Sequence, residues 1–302
     1  MNMRTEKEMF DMILEFAHQD ERVRVVAMNG SRANPNIHPD QYQDFDIVYL
    51  VTEMDSFLGD DRWLDVFGSR IIMQKPDIMG ITQPVGFSFS SFAYLMLFED
   101  GNRIDLTLLP LEKLASYLKE DSLLQILLDK DGRVPALPQS NDKDYWIKRP
   151  TPGMFDDCCN EFWWLSTYVA KGLVRRQIPY ANAHLNLMRN ELMQMLSWQA
   201  GFEQGFNFNI GKDYKYLQNH ILESDWAQLL CTWRMDSPEH TWQSMFEVCD
   251  LFHRITAEMA PKFSFLVPDY DQAIRKYVIS IFKSNELQSS INISSQTLEH
   301  KG

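Results

Sequence analysis

The sequence has no apolar run of the roughly 18 to 20 residues that a helix needs to cross a bilayer, so no membrane-spanning segment is predicted. The opening stretch MNMRTEKEMFDMILEF is charged and amphipathic and lacks a signal-peptide cleavage pattern, which points to the cytoplasm. Cysteine is scarce. The four residues are Cys158, Cys159, Cys231 and Cys249, and an adjacent Cys158-Cys159 pair cannot supply the C-x2-C spacing of a zinc site. They read as structural thiols. Basic charge is short as well: 29 Lys and Arg stand against 42 Asp and Glu, a net charge of −13. Binding a nucleic-acid backbone needs cations that replace its counterions, and no aromatic ladder interleaved with Lys or Arg is present. Nucleic acid is therefore excluded as a partner, whereas the acidic field favours a cationic one. There is no internal repeat.

What is present is material for a large core. Hydrophobic residues make up 45% of the 302 positions and include 8 Trp, enough for two domains. Monomer and homodimer both remain open. Residues 5 to 18 carry apolar side chains at helical spacing. VRVVAM and FDIVYLV read as buried strands, separated by Gly30 and the loop NPNIHPDQ. DDRWLDVFGSR reads as a short helix. RIIMQKP, FAYLMLFED and IDLTLLP are further strands, the last two joined by a turn at EDGNR. Residues 111–132 are expected to be helical. Pro135, Pro138, Pro150 and Pro152 then mark a stretch without periodicity. Beyond it, helical periodicity dominates residues 154–204, and further helices are expected at 214–223, 225–234, 238–260 and 269–284. The expected class is α+β: a catalytic domain with a mixed β-sheet and flanking helices over 1–135, a Pro-rich linker over 136–153, an all-helical bundle over 154–285, and a flexible tail over 286–302.

Three carboxylates fall where strands would otherwise be buried. Asp44 and Asp46 are two residues apart, so on a strand both point to one face. Asp105 lies in a later strand, RIDLTLL. Unpaired buried carboxylates cost several kcal/mol each, and a divalent cation bound by oxygen ligands, Mg2+ or Mn2+, offsets that cost. Asp105 is open to a second reading, a hairpin residue paired with Arg103. In sequence order the pattern is a strand, Gly30-Ser31, twelve residues, Asp-x-Asp on a strand and a third acid on a later strand.

That order resembles the nucleotidyltransferase superfamily related to DNA polymerase β. GSRANPN, QDFDI, DGNRIDLTLLP, DDCCNEFWW, YVAKGL and IGKDYKYL together narrow the resemblance to the aminoglycoside 6-adenylyltransferases that modify streptomycin, over essentially the whole chain. The resemblance implies transfer of AMP from ATP to the 6-hydroxyl of streptomycin, with release of pyrophosphate and antibiotic resistance as the gain. It implies phosphate contacts from Gly30 and Ser31, two Mg2+ ions on Asp44 and Asp46, and Asp105 as general base, metal ligand or both. Arg32 and Lys212 are candidate phosphate contacts. Asp157, Glu161 and Trp164 are candidate contacts to a cationic aminoglycoside. Two alternatives stand beside this: a nucleotidyltransferase acting on another small alcohol or a protein side chain, and an inactive nucleotide-binding sensor or partner module.

Overall fold

The computed structural model describes residues 3–79 and 90–284. The expected tail over 286–302 lies outside the described residues. Contacts divide the chain into two compact units, Met1–Asp144 and Tyr145–Gly302, an α+β unit followed by a helical one.

The first unit opens with helix α1 (Glu6–Gln19). A reciprocal cap starts it: Glu8 N donates to Thr5 Oγ1, and the Glu8 carboxylate accepts from Thr5 N at 2.7 Å. Met9, Ile13 and Ala17 recur on its buried face. Strands β1 (Val23–Met28) and β2 (Phe45–Val51) follow, then the short helix α2 (Asp55–Leu58) and a 3-10 segment over Asp61–Phe67. Strands β3 (Arg70–Gln74), β4 (Phe92–Phe98) and β5 (Arg103–Pro110) precede the one-turn helix α3 (Leu114–Tyr117) and strand β6 (Gln125–Asp129). The sheet order is β3-β4-β5-β2-β1-β6. β2 runs parallel to β5, and the other pairings are antiparallel, so the sheet is mixed.

Alternation along the strands separates two cores. Phe45, Ile47, Tyr49 and Val51 of β2 pack with Ile104, Leu106 and Leu108 of β5 on the α1 face. Val48 and Leu50 face the other way, against Leu114, Tyr117 and Leu124. Asp46 shares the parity of Val48 and Leu50, so it lies on this second face.

Residues 111–132 are not one helix, which corrects the sequence expectation. Only α3 is helical in α geometry, and Gln125–Asp129 instead pairs antiparallel with the second edge of β1, from Met28↔Gln125 to Val25↔Asp129. The reason is tertiary: a long-range backbone partner overrides local helical periodicity.

The second unit contains α4 (Pro152–Val174), α5 (Ile178–Gln204), α6 (Glu223–Cys231), α7 (Pro238–Phe263) and α8 (271–284). Thr151 caps α4 and Ser237 caps α7, each followed by proline at the first helical position. Phe162 of α4 stacks on Phe252 of α7 at 3.6 Å in the centre of the bundle. Residues 214–223 also depart from expectation. Gly211, Asp213 and Tyr214 all have positive φ, and the chain makes two 3-10 turns, Lys212–Tyr214 and Leu217–Asn219, in place of a helix. Cys158, Cys159 and Cys249 are buried free thiols and Cys231 is exposed. No described helix is long and apolar enough to cross a membrane.

Candidate active site

The parallel register of β2 and β5 sets Asp46 opposite Asp105. In parallel strands such partners share a face, so both carboxylates project from the face opposite α1, and Asp44, two residues before Asp46, joins them. Arg103, two residues before Asp105, lies among these acids. Its Nε and Nη2 reach the two Asp105 oxygens at 2.8 and 2.7 Å, and its Nη1 is 3.4 Å from Asp44 Oδ2. One guanidinium therefore serves two carboxylates, and it does not neutralise the third. The Asp46 carboxyl is pushed up to about 6, chiefly by burial and then by the Asp105 and Asp44 charges, against the opposing pull of Arg103 and Arg32.

Gly30, two residues beyond the end of β1, has φ 71° and ψ −154°, and the 3-10 turn Ser31–Ala33 follows directly. A Cβ at Gly30 would stand 2.0 Å from Asp46 Oδ2, so the close approach of turn and carboxylate requires glycine. The neighbouring Asn29 N–H donates to the Asp46 carbonyl at 2.9 Å, extending the β1–β2 ladder to the turn.

Arg32 turns back onto the loop before β2. Its Nε donates to the Asp44 carbonyl at 3.1 Å, Nη2 to the Gln43 carbonyl at 2.8 Å and Nη1 to Glu6 at 2.9 Å, while the guanidinium lies 3.8 Å from the Phe45 ring centre. Its side chain is only 8% exposed. The structure thus commits this guanidinium to joining the turn, the loop and α1.

The remaining candidates belong to the second unit. Lys212 is exposed on the turn after Gly211. Asp157, Glu161 and Trp164 fall at i, i+4 and i+7 of α4, hence on one face. All three are exposed, Trp164 by 56%, and its Nε1 donates to Tyr168 Oη at 2.9 Å. The facing helix α5 adds His184, whose ring lies 5.1 Å from Tyr168, and Glu191. The Glu191 carboxyl is held above its usual range by burial first, with Glu161 adding to the effect against a lowering contact from Cys158. Tyr214 is pushed up to about 12 by burial and then by Glu191.

Among the described residues no group of three or more His, Cys, Asp or Glu is arranged to enclose a metal ion. In the present arrangement Arg103 supplies the positive charge beside Asp44 and Asp105.

Comparison with known proteins follows the same lines. The family model described as streptomycin adenylyltransferase matches residues 3–281. The chain belongs to the streptomycin adenylyltransferase family. An aminoglycoside 6-adenylyltransferase from Campylobacter jejuni is 49% identical over 278 residues, covering 92% of this chain and 96% of that protein. One from Bacillus subtilis (strain 168) is 43% identical over 284 residues, 93% of this chain and 99% of the relative. A crystal structure of an aminoglycoside 6-adenyltransferase from Bacillus subtilis matches with a TM-score of 0.46 at 40% identity, over 93% of this chain and 99% of the other. Membership makes the chain an adenylyltransferase and implies ATP as its co-substrate.

Two residues of this family member were less legible in the sequence. Arg103 was visible only as a possible hairpin partner of Asp105, because its reach to Asp44 depends on the β2–β5 pairing. Glu191 carried no motif. Its signal was spacing: His184 and Glu191 are seven residues apart on α5, two helical turns on one face.

Proposed function

We propose that the protein transfers AMP from ATP to the 6-hydroxyl of streptomycin and releases pyrophosphate, an activity that would confer resistance in the cytoplasm. The observation that carries this reading is the grouping of Asp44, Asp46 and Asp105 on one sheet face beside the Gly30-Ser31 turn. Gly30 and Ser31 hold the triphosphate, and the bare Gly30 backbone lets a phosphate approach closely.

The donor set suits magnesium. All three side chains offer oxygen, and the half-buried Asp46 faces two like charges that Arg103 and Arg32 offset only in part. Asp44 and Asp46 would hold the ions, two in number, with Asp105 able to contribute. Bound there, magnesium offsets negative charge on the phosphates and the departing pyrophosphate. Asp105 accepts the proton of the attacking hydroxyl. Arg103 occupies two of the roughly four lone-pair directions of that carboxylate, which leaves the others for the acceptor. Catalysis then rests on positioning and electrostatics.

For the acceptor, Asp157, Glu161 and Glu191 form the acidic part of the α4–α5 surface, and Trp164, Tyr168 and His184 the aromatic part. A cationic sugar gains both ion pairing and cation–π contact from such a surface, in keeping with the −13 net charge. Lys212 is a further phosphate contact in this reading. The test is pyrophosphate release from ATP and Mg2+ with streptomycin present or omitted. Release that depends on streptomycin is expected, and its absence would overturn the acceptor assignment.

A further inference from the structure

Asn29 is the last residue before the Gly30-Ser31 turn, and it is gripped from outside the turn. The register Met28↔Ile47 places Asn29 opposite Asp46 across β1 and β2, with both side chains on the same face. The Asn29 amide is nevertheless engaged elsewhere. Its Nδ2 donates to the Leu123 carbonyl at 3.0 Å, and its Oδ1 accepts from Tyr117 Oη at 2.5 Å. Tyr117 belongs to α3 and is only 8% exposed, packed with Leu114 and Leu124 on Val25, Ala27, Val48 and Leu50. Its hydroxyl is thus a polar atom delivered through an apolar cluster to one acceptor.

We propose that Tyr117 and Asn29 are positioning residues for the nucleotide turn: the Tyr117 hydroxyl fixes the Asn29 amide, and the amide fixes the backbone that presents Gly30 to Asp46. This inference rests on the adenylyltransferase reading of the site. With Nδ2 held on the Leu123 carbonyl and Oδ1 on the Tyr117 hydroxyl, the plane of the Asn29 amide is fixed and Nδ2 is directed at Leu123 rather than at the neighbouring Asp46 carboxylate. Without the hydroxyl, Oδ1 loses its donor. The amide can then rotate and present Nδ2 to Asp46, drawing that carboxylate from its place beside Gly30. The tolerance there is small, since even one methyl group at Gly30 would overlap Asp46.

The experiment compares wild type with Tyr117→Phe, Asn29→Ala and the double variant. Tyr117→Phe should lower kcat roughly tenfold, as sub-ångström misplacement of reacting groups does. It should also raise the Mg2+ concentration for half-maximal activity, with KM for streptomycin within about twofold and a thermal midpoint near that of wild type. The double variant should be no slower than Asn29→Ala, because the hydroxyl acts through the amide. Wild-type kcat in Tyr117→Phe, or fully multiplicative losses in the double variant, would overturn the proposal. Calorimetric titration with ATP and Mg2+, without acceptor, separates the two readings. Weaker ATP binding in Tyr117→Phe supports positioning even if streptomycin proves not to be the acceptor. Unchanged ATP binding together with unchanged kcat overturns positioning and leaves the acceptor reading intact.

Discussion

Gly30 and Asp46 are in such close contact that the hydrogen on the Gly30 α-carbon cannot be replaced by carbon: a Cβ would lie 2.0 Å from Asp46 Oδ2 and 2.8 Å from Cγ. Gly30 and Asp46, sixteen residues apart in sequence, are therefore one packed object. The turn cannot shift without moving the acid.

Gly30→Ala should reduce streptomycin-dependent pyrophosphate release at least about a hundredfold, because the displaced Asp46 no longer matches the acceptor and nucleotide positions. The backbone, in a region essentially reserved for glycine, adds a folding cost of about 1–3 kcal/mol to that of displacing Asp46, and a chemical denaturation curve beside the rate assay checks both. Near-wild-type turnover would mean that Asp46 has no need of its present place.

Asp44→Asn and Asp46→Asn should each abolish transfer while leaving the protein folded. For Asp46→Asn the thermal midpoint should hold or rise, since the change removes one of three like charges that crowd the same face. A fall of the midpoint comparable to that of a core truncation would instead assign Asp46 a structural role.

Arg32 separates two roles by experiment. Its guanidinium bonds the Asp44 and Gln43 carbonyls and Glu6, so Arg32→Ala should cost about 2–3 kcal/mol of unfolding free energy from lost charge-assisted hydrogen bonds. Arg32→Lys should recover little of it, because a single ammonium cannot reproduce the planar fork. If Arg32 served only a phosphate, denaturant midpoints would stay put and KM for ATP alone would rise.

Acid sensitivity should be traceable to Asp100. Arg4 holds the Asp100 carboxyl well below the usual carboxylate range, helped by Asn102 and opposed by partial burial. A carboxyl depressed in the folded state stabilises the fold fully above its unfolded value of about 3.9. That contribution is lost as pH falls through and below that value. Asp100→Asn should therefore lower the thermal midpoint at pH 7 and leave the gap to wild type much smaller near pH 2.5.

Much of this was legible in the chain itself. The apolar run FDIVYLV and the polar–apolar alternation of RIDLTLL revealed both strands, and they placed Asp46 as an oddity in the first and Asp105 among buried neighbours in the second. Apolar spacing over residues 5–18 marked α1, and helical periodicity from residue 154 marked α4, which begins two residues earlier at Pro152. What escaped depended on partners remote in sequence. The apolar run in Gln125–Asp129 suits a helix or a strand equally, and the free edge of β1 decides between them. The turn at Lys212–Tyr214 likewise defeats its helical pattern through left-handed Asp213 and Tyr214, residues with no glycine to announce such a conformation. Arg32 read as a cation near a phosphate turn, and only the folded chain gives it the carbonyls of Gln43 and Asp44.

The strand order carries a consequence for the order of assembly. β1 is flanked by β2 and by β6, and β2 by β1 and β5. Asp46 thus meets Asp105 only after the whole β3–β4–β5 excursion has been synthesised, and Asn29 meets its support only when Tyr117 and Leu123 have followed. Contacts so distant along the chain form late and slowly. A nascent chain halted near residue 100 would hold β1 and β2 but no working centre, so catalytic competence is among the last properties the first unit acquires on its way off the ribosome.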